Sequence, residues 1–166
     1  MTRARILTAV GLIGCLAIGG LVLSQTAHAK KGVVLTAQDY TEITELYARL
    51  YQGSDLRETD LWLSAFSEDG VFRFPNGDEV VGKKALAEWR AKSFAGSTAD
   101  SKRRHWTSGV MLTPTPDGGA QSRAYFLLID VSGKQPVVTS SGRFDDVFVK
   151  TAGGWKFKKH AVRSDS

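Results

Sequence analysis

The chain has 166 residues, a formal charge of +5, 10% aromatic residues and a single cysteine. One cysteine excludes a disulfide-stapled scaffold, and cations scattered without an aromatic-interleaved basic stripe argue against nucleic acid as a partner. The length suits one domain able to bury a real core.

Residues 1–29 read as a secretory signal peptide. Arg3 and Arg5 form a basic start, Ile6–Leu23 is apolar and uncharged, and Ala27-His28-Ala29 supplies a small-residue cleavage site. Cleavage after Ala29 leaves a periplasmic or secreted domain over 30–166, with no stable membrane insertion. Two alternatives stay open: an uncleaved N-terminal anchor, and a lipoprotein modified at Cys15 within Leu12-Ile13-Gly14-Cys15. The leader carries both arginines and no acid, so cleavage lowers the formal charge by two. It also takes away the only cysteine, which leaves a domain stable by packing alone.

Thr36-Ala37-Gln38-Asp39 predicts a helix start, with Thr36 at the N-cap and an acid three residues on. Ile43, Leu46, Tyr47, Leu50 and Tyr51 follow at helical spacing, and Gly53 is expected to end or loosen the helix. A second helix is expected over Glu58–Phe66, then a turn at Glu68-Asp69-Gly70. Val71–Pro75 and Glu79-Val80-Val81 flank the hairpin turn Asn76-Gly77. A third helix runs from Gly82 to Phe94, burying Ala85, Leu86 and Trp89. The period then changes from 3.6 to 2, giving strands over Arg104–Thr113, Ala120–Val131, Val137–Lys150 and Gly154–Arg163. Short links predict antiparallel neighbours, so the class is α+β, with helices packed in a curved antiparallel sheet.

Several motifs occur along this order. They are Ile43-x-x-Leu46-Tyr47, Phe66-Ser67-Glu68-Asp69-Gly70-Val71-Phe72, Gly82-Lys83-Lys84-Ala85-Leu86, Arg104-His105, Gly142-Arg143-Phe144-Asp145-Asp146 and Gly154-Trp155-Lys156-Phe157. Together they resemble the SnoaL-like branch of the NTF2-like superfamily. The resemblance implies a cone, a bent sheet around helices with a pocket at its wide end. Within the superfamily the sequence looks most like the scytalone dehydratase and hexachlorocyclohexane dehydrochlorinase type. That type implies an aspartate after the first helix and a histidine at a strand start. Together these abstract a proton and expel a leaving group without metal or organic cofactor.

Counting back from Phe66 places the aspartate at Asp55, with Gln52 a competitor for the position. The histidine position falls on His105. Imidazole takes a proton near neutral pH, and a carboxylate on its other nitrogen fixes the tautomer. Strand alternation puts His105 on one face with Thr107, Gly109 and Met111, and Trp106, Ser108, Val110 and Leu112 on the other. The plainer alternatives are that Asp55 caps a helix starting near Leu56 and that His105 bonds a backbone carbonyl. His160 alternates with Trp155, Phe157 and Ala161 and shares its face with lysines, so it is expected on a solvated face. Asp145 and Asp146 point to opposite faces and are expected to be structural. Tyr47, Tyr51, Gln52, Trp62, Phe72, Trp89 and Tyr125 are the candidate pocket residues. No metal site, P-loop or dinucleotide fingerprint is read.

The expected function is that of a lyase, dehydratase or isomerase acting on a small apolar, cyclic or aromatic molecule. A non-catalytic small-molecule binder and a module that dimerises through its sheet are the rival readings.

Overall fold

The computed structural model describes residues 33–96 and 100–165, all within one unit, Gly32–Ser166. The expected leader and Cys15 lie outside the described residues.

Helix α1 spans Ala37–Asp55 and opens as its sequence predicts. Asp39 N–H donates to the Thr36 hydroxyl, and the Asp39 carboxylate accepts from the Thr36 backbone N–H and hydroxyl. That carboxylate also receives Lys150 Nζ at 2.6 Å and Trp155 Nε1 at 2.8 Å, which ties the helix start to the last hairpin. Lys150 above all, with Thr36 and Trp155, holds Asp39 well below the usual carboxylate range.

The helix does not stop at Gly53 but continues to Asp55. Gly53 is needed for a close crossing instead: a Cβ there would lie 2.6 Å from the Trp62 backbone nitrogen. Its apolar stripe buries Ile43, Leu46, Tyr47, Leu50 and Tyr51 in one cluster with Phe144, Phe148, Trp155 and Phe157 of the sheet. Leu50 is fully enclosed, so truncation to alanine would cost about 2–5 kcal/mol.

A short helix, α2 (Thr59–Ser64), leads into β1 (Phe66–Arg73). Then come β2 (Glu79–Val81), α3 (Lys83–Phe94), β3 (Arg103–Pro114), β4 (Ala120–Asp130), β5 (Val137–Thr151) and β6 (Gly154–Ser164). The expected turn at Glu68-Asp69-Gly70 lies inside β1, as an irregular stretch between Phe66 and Val71. Among the described residues these six strands form one sheet, ordered β2-β1-β6-β5-β4-β3. Its pairs are antiparallel except β1 with β6, which is parallel. Short links govern only consecutive strands, whereas β6 reaches β1 after a long excursion and is free of the hairpin constraint.

Two bulges decide which residues face inward. In β3, Ser108 pairs with Tyr125 but Met111 with Arg123, so β3 carries one extra residue. Gly109 sits there at φ 61, a left-handed conformation that favours glycine. In β6, Phe157 pairs with Phe148 and Lys159 with Val147, which makes Lys158 the extra residue.

Candidate functional site

Asp55 closes α1 and His105 opens β3, and the structure brings them together. The Asp55 carboxylate accepts the His105 backbone N–H through Oδ2 at 2.9 Å, and its Oδ1 lies 2.6 Å from His105 Nδ1. A serine amide holds the same residue from behind, since Ser101 N–H donates to the Asp55 carbonyl at 3.0 Å. A carboxylate oxygen only accepts, so this contact is a hydrogen bond in the tautomer with the proton on Nδ1, which is the one that leaves the Nε2 lone pair free. The carboxylate is thus engaged with His105, and α2 begins after Glu58 with no side-chain cap.

His105 borders two cavities. The outer one, about 240 Å³, is lined by Tyr47, Tyr51, Gln52, Asp55, His105 and Thr107 among others. The inner one, about 150 Å³, has walls that include Tyr51, Trp62, Phe72, Trp89, Arg90 and His105. The aromatic walls support one another. The Phe72 and Trp89 rings stack 5.3 Å apart, and Trp62 lies 5.9 Å from each. Such a lining suits a flat, largely apolar molecule.

Behind the cavities lies a buried polar network. The Tyr51 hydroxyl is 2.9 Å from His160 Nε2. Asp146 accepts from the Tyr47 hydroxyl and from the Ala161 backbone N–H. His160 Nδ1 is 2.9 Å from Asp146 Oδ1 but off the hydrogen-bonding direction. Burial, and then the charge of Asp146, raise both tyrosine hydroxyls well above their ordinary range, so both stay protonated donors.

The SnoaL-like domain profile matches residues 35–161. The chain belongs to the SnoaL-like family. The SnoaL-like chain is also similar to solved structures of NTF2-like or cystatin-like fold. A Nostoc punctiforme protein of unknown function with a cystatin-like fold aligns at TM-score 0.68 and 24% identity, over 79% of this chain and 94% of that one. ActVI-ORFA from Streptomyces coelicolor aligns at TM-score 0.65 and 26% identity, over 76% and 96%. A Catenulispora acidiphila structure in complex with S-DNPA aligns at TM-score 0.66 and 24% identity, over 78% and 96%. No curated protein matches the chain. Family membership suggests small-molecule binding, or activity of the polyketide cyclase or dehydratase type.

Of the candidate pocket residues of this SnoaL-like domain, Tyr47, Tyr51 and Gln52 line the outer cavity, and Tyr51, Trp62, Phe72 and Trp89 the inner one. Tyr125 does not belong with them. It is 62% exposed on the outer face, between inward Ala124 and Phe126. Met111, expected beside His105, is 69% exposed, because the bulge at Gly109 reverses the alternation and turns Val110 and Leu112 inward instead. His160, expected in solvent, is fully buried because the extra residue Lys158 shifts it inward. Asp146 and Asp145 do point opposite ways: Asp146 is enclosed, and Asp145 pairs with Arg143 and Arg163 outside.

Arg90 is a cavity residue that the sequence pattern does not single out. On an amphipathic helix an arginine reads as solvated, yet here it is buried among Trp62, Trp89 and Phe94. Its spacing one residue past Trp89 gives no signal of this.

Proposed function

We propose that this domain is a cofactor-independent lyase, dehydratase or isomerase acting on a small cyclic or aromatic molecule. The observation that carries the reading is the 2.6 Å contact of His105 Nδ1 with Asp55 Oδ1 on the wall of two cavities. In this reading His105 Nε2 is the general base and removes a proton from the carbon beside a carbonyl. Asp55 stabilises the resulting imidazolium and holds its ring in place. The electron pair left on carbon expels a β-hydroxyl, and the imidazolium returns its proton to that oxygen. Water leaves, and the base is restored. One residue therefore serves as base and then acid, and the scheme asks for no second carboxyl group in the cavity.

Water elimination from bicyclic β-hydroxy ketones tests this, followed by the absorbance that grows as the enone conjugates. The expected result is catalysis by the wild type and a loss of about 10²–10⁴-fold in His105→Ala. Equal rates in the two proteins would contradict the mechanism. Binding without turnover would favour the carrier reading instead, which the aromatic inner walls also support. The S-DNPA complex of the Catenulispora relative is consistent with ligand binding in either case.

Two further proposals concern the whole chain. The leader composition supports export, with cleavage after Ala29. The outer sheet face supports a homodimer: Trp106 pairs with Leu127 and Ser108 with Tyr125 across β3 and β4, leaving an exposed apolar patch.

A further inference from the structure

Arg90 is a buried cation. Its residue is only 7% exposed, and among the described residues its Nε has no hydrogen-bond partner. Among the described residues no carboxylate forms an ion pair with it. Its guanidinium carbon lies instead over three aromatic rings, 4.0 Å from the Trp62 centroid, 4.4 Å from Trp89 and 4.9 Å from Phe94. Ring faces partly compensate a cation but cannot accept its N–H bonds as an anion does. A second guanidinium, that of Arg57, sits over the same Phe94 ring at 4.7 Å and adds positive charge. Burial, then the charge of Arg57, push Arg90 down to about 9, so it remains charged at neutral pH.

Buried charges are ordinarily paired, because an unpaired one is costly to keep from water. Arg90 also lines the inner cavity, on whose wall His105 stands. We propose that Arg90 is the anion-binding residue of this cavity, and that the molecule it takes is a flat ring bearing a carboxylate. The proposal rests on the reading of the cavity as the ligand site and adds the chemical class of the ligand. A cavity of about 150 Å³ accommodates a single benzene-sized ring. A carboxylate held on the guanidinium would therefore bring its ring into the space that His105 borders. Arg90 would act in this as a binding and positioning residue, fixing which carbon faces the imidazole.

The test compares benzoate and 4-methylbenzoate with benzamide and 4-methylbenzamide, using quenching of intrinsic tryptophan fluorescence, since Trp62 and Trp89 line the cavity. The wild type should bind each carboxylate at least about tenfold tighter than its amide. Arg90→Met should lose that preference while keeping the amide affinity, and Arg90→Lys should keep part of it. Equal wild-type affinities for carboxylate and amide would overturn the proposal while leaving the cavity as a ligand site. Binding of neither probe by the wild type would overturn both. Because the wild-type comparison needs no variant, a folding failure of Arg90→Met leaves the question decidable, with Arg90→Lys as the second protein.

Discussion

The Tyr51 ring lies against the His105 imidazole, with centroids 4.5 Å apart and planes 22° from parallel. The stack supports the imidazole from the side that the Asp55 bond does not, while the Tyr51 hydroxyl is occupied by His160. Removing only the hydroxyl should therefore leave the stack in place. Tyr51→Phe strands a buried histidine nitrogen and should cost about 1–3 kcal/mol in urea unfolding. The His105 ring resonances should shift little in Tyr51→Phe and substantially in Tyr51→Leu. Large shifts in both would mean that the hydroxyl network, rather than the stack, positions His105.

Alkaline pH should expose the buried tyrosines. Tyr47 and Tyr51 are raised in the folded chain, whereas unfolded tyrosine titrates near 10. Above that pH the unfolded state loses protons that the folded state retains, so stability falls. Each buried tyrosine should contribute a slope of about 1.4 kcal/mol per pH unit until its folded value is reached. The contribution is fully present below pH 10. Tyr47→Phe should flatten the dependence by about half of one such share when unfolding is followed by denaturant from pH 9 to 11, where the unfolded tyrosine is passing through its own titration. An unchanged slope would show that Tyr47 ionises equally well when folded.

Asp39 gives the opposite sign. Its folded carboxyl is held below the unfolded range, so its contribution is present above about pH 4 and is lost as the pH falls through the folded value. Asp39→Ala removes one side of the capping box and the acceptor for Lys150 and Trp155, and should cost about 1–2 kcal/mol at neutral pH. Thermal melts should show the difference between the two proteins narrowing with acid. A gap that stayed constant down to the most acid pH would assign the effect to packing alone.

The outer face should mediate association. Trp106 is 65% exposed beside Leu127, on the side of the sheet away from the cavities. Light scattering of the protein should give twice the chain mass, and Trp106→Lys should halve it while leaving the far-UV circular dichroism of the fold unchanged. A monomeric wild type would exclude the dimer. Intact mass on the same sample reports the leader: a chain beginning at Lys30 agrees with cleavage, and retained Met1 or a lipid on Cys15 does not.

Much of this organisation is local and therefore legible in the chain. Thr36 and Asp39 mark the first helix by a three-residue reciprocal bond, and Ile43 through Tyr51 show its buried stripe by period alone. Asp55 and His105 are fifty residues apart, and it was resemblance to a family, rather than periodicity, that paired them. Alternation along a strand holds only until a residue is inserted. Gly109 and Lys158 each add one, which is why Met111 and His160 sit on faces opposite to those expected. Arg90 was illegible for a different reason: the rings that enclose it come from α2, from its own helix α3 and from the end of that helix, and only folding brings them together.

In the proposed reaction Asp55 holds the His105 proton on Nδ1 and leaves Nε2 bare to act as base. Nitrogen-15 NMR of the His105 ring above its titration reads this directly, because protonated and bare ring nitrogens resonate far apart. The expected result is a single Nδ1–H tautomer in the wild type and loss of that preference in Asp55→Ala, with the backbone spectrum of the sheet otherwise preserved. A wild-type imidazole protonated on Nε2, or a tautomer indifferent to Asp55, would contradict it.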